Sequence, residues 1–350
     1  MPNIIFSVFK FFLFLQIMNT RFDRAKLLKI AETAIKIIVM LAGCWILYVK
    51  IIESQDFVKM WGDVKGSFSS AEGILLTIAA FVLIPVNIAF EAMKWKRSVS
   101  PVEDVPFRKA FTAIFTGITA GMFFPNRTGD FLGRIFILEK GNRLRAAMLT
   151  FVGNIAQMIV TVSLGCFACV FFIGRFRWFV LLAATAVTTL LLLLFFNIKI
   201  FRYLRIFVPG KWRGKADDYM DIFSVFSRKE LSVILLLAIA KYAVYSLQFV
   251  LLVRASGIRL SYFNTLIPIM MTYFIMTIIP FITVTEIAVR GPICVVVFER
   301  WLTINAIANS SSMMVFSAST ILWLYNLAVP AIIGLFFIRK LKFLRRSYEY

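Results

Sequence analysis

Six apolar runs long enough to cross a bilayer, which takes about 17–25 residues, lie near 30–50, 73–93, 147–173, 179–196, 231–253 and 309–338. Two further apolar regions, 110–138 and 262–298, are broken near their centres by proline and polar residues. The first break reads Pro125, Asn126, Arg127, Thr128, Gly129, Asp130, with Arg134 one helical turn on. The second reads Pro280, Phe281, Ile282, Thr283, Val284, Thr285, Glu286, followed by Arg290 and Gly291. The order span, broken segment, span occurs twice, at about 73–173 and again at about 231–338. Irregular backbone at membrane depth is tolerated only inside protein or along a water-filled cavity. Both breaks are therefore expected to face the bundle interior.

Charge placement sets the topology. The stretches 21–29, 94–109, 139–145, 197–229 and 339–346 hold 25 basic residues, whereas 50–72, 174–178, 254–261 and 299–304 hold 8. Cytoplasmic loops collect Lys and Arg. The rich loops share one side only if 110–138 enters and leaves by that side, and the poor loops share the other only if 262–298 does likewise. The expected fold is thus an all-α polytopic membrane protein of about six spans plus two re-entrant helical hairpins in an inverted repeat. Ordinary kinked spans are the alternative for the two broken segments. Residues 1–29 read as an interfacial, basic segment, 30–340 as one transmembrane domain with a basic linker at 197–230, and 341–350 as a tail, with both termini cytoplasmic.

Composition agrees with this class. The chain has 350 residues, 61% hydrophobic and 16% charged, with 38 Phe. A water-soluble chain averages about 45–50% apolar and about 25% charged. The net charge of +21 is explained by the cytoplasmic loops, so nucleic acid is not an expected partner. With no histidine, histidine-based triads and the usual zinc ligand sets are excluded. The four cysteines (Cys44, Cys166, Cys169, Cys294) lie in apolar runs and read as packing residues. No metal or cofactor is expected.

Candidate chemistry concentrates at the breaks. Asp130 and Arg134 are four residues apart, as are Glu286 and Arg290, so each pair shares a helix face. Asn126 and Thr128 are candidate caps for one restarting helix, and Thr283 with Glu286 fits a capping box for the other. Glu91 and Lys94 lie near the cytoplasmic end of the 73–93 run, and Lys241 and Gln248 lie within 231–253. A charge at the bilayer centre costs about 2.5–3.5 kcal/mol even on the lenient scale. Two ion pairs that pin hairpin tips are one reading. The other is a polar slot for a charged headgroup, with Arg134 and Arg290 on phosphate, Arg127 near the mouth, and Asp130, Glu286 and Glu91 orienting the arginines or meeting a cationic group. The cluster Asp217, Asp218, Asp221 resembles half of a magnesium-diphosphate motif. Flanked by Lys211, Arg213, Lys215, Arg228 and Lys229, it reads as a solvated turn.

The run Pro125, Gly129, Asp130, Arg134, with Asn87 and Lys94-Trp95 before it and Pro280 and Glu286 after it, resembles the membrane region of bacterial lysylphosphatidylglycerol synthases and their stand-alone flippase-like relatives. The resemblance extends over about residues 30–340. It departs at Val284-Thr285, where relatives often carry glycines, and a stand-alone member without a soluble aminoacyl-transfer domain is expected. It implies a non-enzymatic module of the bacterial cytoplasmic membrane that moves lipids, anionic or aminoacylated, between leaflets. Two other readings stay open: a membrane enzyme acting on lipid phosphates or polyprenyl carriers, and a docking partner for a separate lipid-modifying transferase.

Overall fold

The computed structural model describes residues 57–123, 128–138, 143–198, 223, 225–279, 286–306 and 312–338. The helices are α1 (Phe57–Ser69), α2 (Ala71–Val99), α3 (Phe107–Phe123), α4 (Thr128–Ile135), α5 (Arg143–Phe172), α6 (Arg177–Phe196), α7 (Arg228–Ala255), α8 (Tyr262–Ile278), α9 (Glu286–Ile304), α10 (Ser312–Trp323) and α11 (Val329–Ile338). A π-helical turn, Leu324–Ala328, joins the last two. Five stretches are long and apolar enough to cross a membrane: Ala71–Val99, Arg145–Phe172, Arg177–Phe196, Arg228–Ala255 and Met313–Phe337. They match five of the six expected spans. The run 30–50, the segment 1–29, the acidic cluster at 217–221 and the tail 341–350 lie outside the described residues, as does most of the linker 197–230.

Local chemistry fixes the helix ends. The Ser70 hydroxyl accepts from the Gly73 amide at 2.9 Å and starts α2. Ser227 and Glu230 form a reciprocal capping box at the start of α7, which satisfies two otherwise orphan donors. At its other end α7 stops on Gly257, whose φ of 104° is strained for any residue with a Cβ. The Ile258 amide donates back to Val253 O at 3.3 Å and the Gly257 amide to Arg254 O at 3.0 Å, the paired bonds of a glycine-terminated helix.

Helices α2 and α7 run antiparallel and form the centre of the molecule. Glu72 meets Arg259 at 3.5 Å toward one end and Glu91 meets Lys241 at 2.7 Å toward the other. From the second of these ends the chain enters α3 after residues 100–106. α4 returns antiparallel along α3, with the Thr116 hydroxyl donating to Gly133 O at 3.0 Å. α5 then starts beside the end of α2 that the chain had left, where Trp95 Nε1 donates to the Thr150 hydroxyl at 3.0 Å. The second half repeats this from the opposite end of the α2–α7 pair. The chain leaves α7 at Gly257, runs through α8 and α9, and begins α10 with Met314 beside Gly257.

The two halves exchange their packing. α3 lies against α11, and α8 lies against α5. Each crossing uses a glycine: Gly334 under Phe115 and Thr119, and Gly165 under Phe274. The Thr119 hydroxyl also donates to Ala331 O at 2.8 Å. One apolar core, with Trp95, Val99, Ile114 and Ile135, joins α2, α3 and α4. A second, with Leu149, Phe249, Leu252, Phe298 and Leu322, joins α5, α7, α9 and α10. α6 packs mainly on α5 and leaves Trp178, Phe179, Leu182, Leu190 and Leu193 exposed, a surface suited to acyl chains rather than water.

A side chain at either crossing glycine has no room. Gly334→Leu and Gly165→Leu are each expected to cost about 1–3 kcal/mol through overpacking, read as an earlier thermal or chemical unfolding transition in detergent. Gly66→Ala, at a position with nothing within 4 Å of a built Cβ, is the control and leaves the transition in place.

Candidate functional site

Between the two cores the helices bring together a set of charged side chains. Glu91 sits about 12 Å before the end of α2 and Lys241 about 20 Å from the start of α7, at 1.5 Å rise per residue. Both therefore lie well inside helices that are about 42–44 Å long by the same measure. Glu91 Oε1 accepts from Arg134 Nη1 at 2.7 Å. Its Oε2 accepts from Lys94 Nζ and from Lys241 Nζ, each at 2.7 Å. One carboxylate thus holds three cations from α2, α4 and α7.

Arg134 is the hinge of this group. Asp130, one turn earlier on α4, takes Arg134 Nε on Oδ1 at 2.9 Å and Nη2 on Oδ2. With Nη1 on Glu91, all three guanidinium nitrogens bond carboxylate oxygens. The close approach of α4 to α3 makes this possible. Asp130 and Arg134 fill the space a Cβ on Gly117 would need, and a Cβ on Gly133 would strike the Gly117 backbone at 2.7 Å. Lys94 also donates to Gln157 Oε1 of α5 at 3.3 Å.

The second acid–arginine pair is completed differently. Arg290 Nη2 bonds Glu286 Oε1 one turn before it on α9. Arg290 Nη1 donates to the Tyr245 hydroxyl at 2.7 Å, and its guanidinium carbon lies 6.0 Å from the Tyr245 ring centroid. Tyr245 is one turn from Lys241 on α7, so the two charged groups occupy successive turns of one helix. A third polar layer lies beyond them. Gln248 Nε2 donates to Ala80 O at 2.9 Å, while Asn87 Nδ2 reaches Gln248 Oε1 at 3.3 Å and Asn326 Oδ1 at 3.2 Å. Asn326 lies in the π-helical turn, a local widening often found at functional positions.

Of the residues singled out from sequence, Glu91, Asp130 and Arg134 meet directly. Glu286 and Arg290 form their own pair, and Lys241 and Tyr245 connect the two groups along α7. Asn126, Arg127 and Thr283 lie outside the described residues. Thr128 opens α4, but its side chain is also outside them. Sequence reasoning gave no role to Tyr245 and did not link Lys241 to Glu91. Nothing local joins positions 150 residues apart. The usable signal was a lysine inside an apolar span, which requires a buried partner.

In the bilayer interior a carboxylate surrounded by cations cannot be removed without stranding them. Glu91→Ala is expected to cost about 3–5 kcal/mol, the range for breaking a buried ionic group by deleting one partner. Glu91→Ala combined with Lys241→Met recovers part of that loss. Both are read from unfolding of the purified protein in detergent.

The chain matches the family described as the lysylphosphatidylglycerol synthase TM region over residues 34–282. The matched stretch includes Glu91, Asp130, Arg134 and Lys241 and ends four residues before Glu286, so it is shorter than the 30–340 suggested by motif resemblance. No curated protein and no solved structure matches the chain. The protein is a multi-pass membrane protein with a lipid-related setting. With well over half of its length inside that one match, the chain belongs to the lysylphosphatidylglycerol synthase transmembrane-region family.

Proposed function

We propose that the protein is a lipid transporter, flippase- or scramblase-like, that passes a phospholipid or lipid-linked headgroup between leaflets while the acyl chains stay in the bilayer. The observation that carries this reading is the Glu91–Arg134–Lys241 centre. It is a buried ionic group inside the bundle, reached from one end by α4 and crossed by the helix pair α2–α7. Ionisable groups at that depth ordinarily mark a substrate or ion pathway. The Lys241 side chain keeps 27% exposure where its partners Glu91 and Lys94 keep 5% and 2%, so it is the cation of this centre most open to a ligand.

The chain path supports two re-entrant hairpins, because α3–α4 and α8–α9 each return to the end of the α2–α7 pair from which they left. The exchange of α3 onto α11 and α8 onto α5 supports an inverted repeat. That arrangement suits alternating access, in which one half rocks against the other around a fixed mid-membrane site. The basic loops would face the cytoplasm of a bacterial cell and gather anionic lipid at about 1 kcal/mol per Lys or Arg near the surface. Anionic phospholipids fit this charge pattern; aminoacylated ones, neutral or cationic overall, are suggested by the family alone, with Asp130 and Glu286 to meet the added ammonium, and the basic linker 197–230 could seat a separate lipid-modifying transferase.

The test is reconstitution in liposomes with headgroup-labelled phospholipids. The intact protein is expected to equilibrate label between leaflets with the lipid chemically unchanged by mass spectrometry. Arg134→Ala and Arg290→Ala are each expected to slow this by tenfold or more. Equal rates for protein-free liposomes and all three proteins would overturn the reading, and a chemically altered lipid would replace it with an enzymatic one.

A further inference from the structure

We infer that the space around Arg290 between α7, α8 and α9 is a seat for a phosphate-type group carrying a single negative charge. The inference rests on the transport reading only for the source of that group, a lipid headgroup.

The two acid–arginine pairs have the same four-residue spacing but not the same environment. Every nitrogen of Arg134 is engaged by a carboxylate oxygen. Arg290 is 8% exposed, and among the described residues its Nε has no hydrogen-bond partner. Three hydroxyls nearby make no full hydrogen bond among the described residues: Tyr242 and Ser246, one turn apart on α7 and in weak contact with each other, and Tyr273 on α8. All three residues are more than nine-tenths buried. They belong to one cluster. The Tyr242 and Tyr273 rings are 5.7 Å apart, and Tyr273 is 5.3 Å from the ring of Tyr245, which accepts from Arg290. Buried donors in native proteins are nearly always satisfied. An unused guanidinium nitrogen beside three hydroxyls that make no full hydrogen bond matches the several acceptor oxygens of a phosphate, which arginine binds through its planar fork.

Charge specifies the occupant further. Along successive turns of α7 the described residues gather Lys94, Arg134, Lys241 and Arg290 against Glu91, Asp130 and Glu286. Four cations face three carboxylates, and one positive charge is left over. A phosphodiester with an otherwise neutral headgroup cancels it. A zwitterionic headgroup leaves the excess in place, and a doubly charged monoester reverses its sign.

The test uses the full purified chain in phosphatidylcholine nanodiscs, with phosphatidylglycerol, phosphatidic acid or inorganic phosphate added. Retention is read by native mass spectrometry and stability by thermal shift. Phosphatidylglycerol is expected to be retained at least tenfold over phosphatidylcholine. The double variant Tyr242→Phe/Tyr273→Phe is expected to lower that preference at least fivefold. Its melting temperature without added lipid should be unchanged or higher, since it deletes hydroxyls that make no full hydrogen bond. Should the double variant fail to fold, Ser246→Ala gives the same comparison with a smaller loss. Equal retention of the two lipids, or full preference in the hydroxyl-deleted variants, would overturn the seat. A thermal shift from inorganic phosphate equal to that from phosphatidylglycerol supports the seat and assigns it to a free anion. Selective retention without translocation leaves the seat standing and removes the transport reading.

Discussion

The interior of this molecule is organised by one carboxylate that must not be left alone. Glu91 lies in a helix otherwise suited to hydrocarbon, where an isolated ion is costly, and its two oxygens are satisfied only by cations from three helices. Meeting that requirement fixes much of the fold around it. α4 has to reach α2 so that Arg134 can bond Oε1. α7 has to lie along α2 so that Lys241 can bond Oε2. The close α3–α4 contact through Gly117 and Gly133 follows, because only glycine leaves space for Asp130 to steady Arg134 from behind.

Much of the architecture could be read from the chain, because spans and breaks are local signals. Apolar length located α2, α5, α6 and α7 to within about six residues at their ends, and the helices before and after the Pro125 and Pro280 regions, α3 with α4 and α8 with α9, pack as pairs. The i, i+4 spacing put Asp130 on Arg134 and Glu286 on Arg290. Long-range pairing was not readable. Lys241 and Glu91 are 150 positions apart, and the Asn87–Gln248–Asn326 layer depends on a π turn that no composition rule identifies. The two halves also differ in which side chain answers their arginine. Glu91 completes its half's arginine, whereas Tyr245 does so in the other half and Gln248 bonds the Ala80 carbonyl. A hydroxyl can accept from a guanidinium where a carboxylate would otherwise do so, more weakly because it brings no charge, and residue spacing alone does not say which will.

That substitution gives the two halves different characters. Where Glu91 completes Arg134, the ionic group is closed: carboxylates occupy every guanidinium nitrogen and join three helices. Where Tyr245 completes Arg290, the group is neutral on one side and, among the described residues, keeps an unused donor. A pair of similar hairpins can thus have a firm half and an adaptable one.

α7 is where the halves communicate, since Lys241 and Tyr245 stand on its successive turns. A rocking motion that moved α7 away from α2 would break the Lys241–Glu91 bond while Arg134 and Lys94 kept Glu91 neutralised. Lys241 is the cation that can leave at least cost, being the one already partly open. Once released it would need an anion, and Tyr245 one turn away would carry Arg290 along with the same helix displacement. On the proposed reading, an anionic headgroup arriving at α7 supplies what the departing Glu91 removes. On that same reading the helix pair would have two ion-paired arrangements, which is the condition for alternating between them.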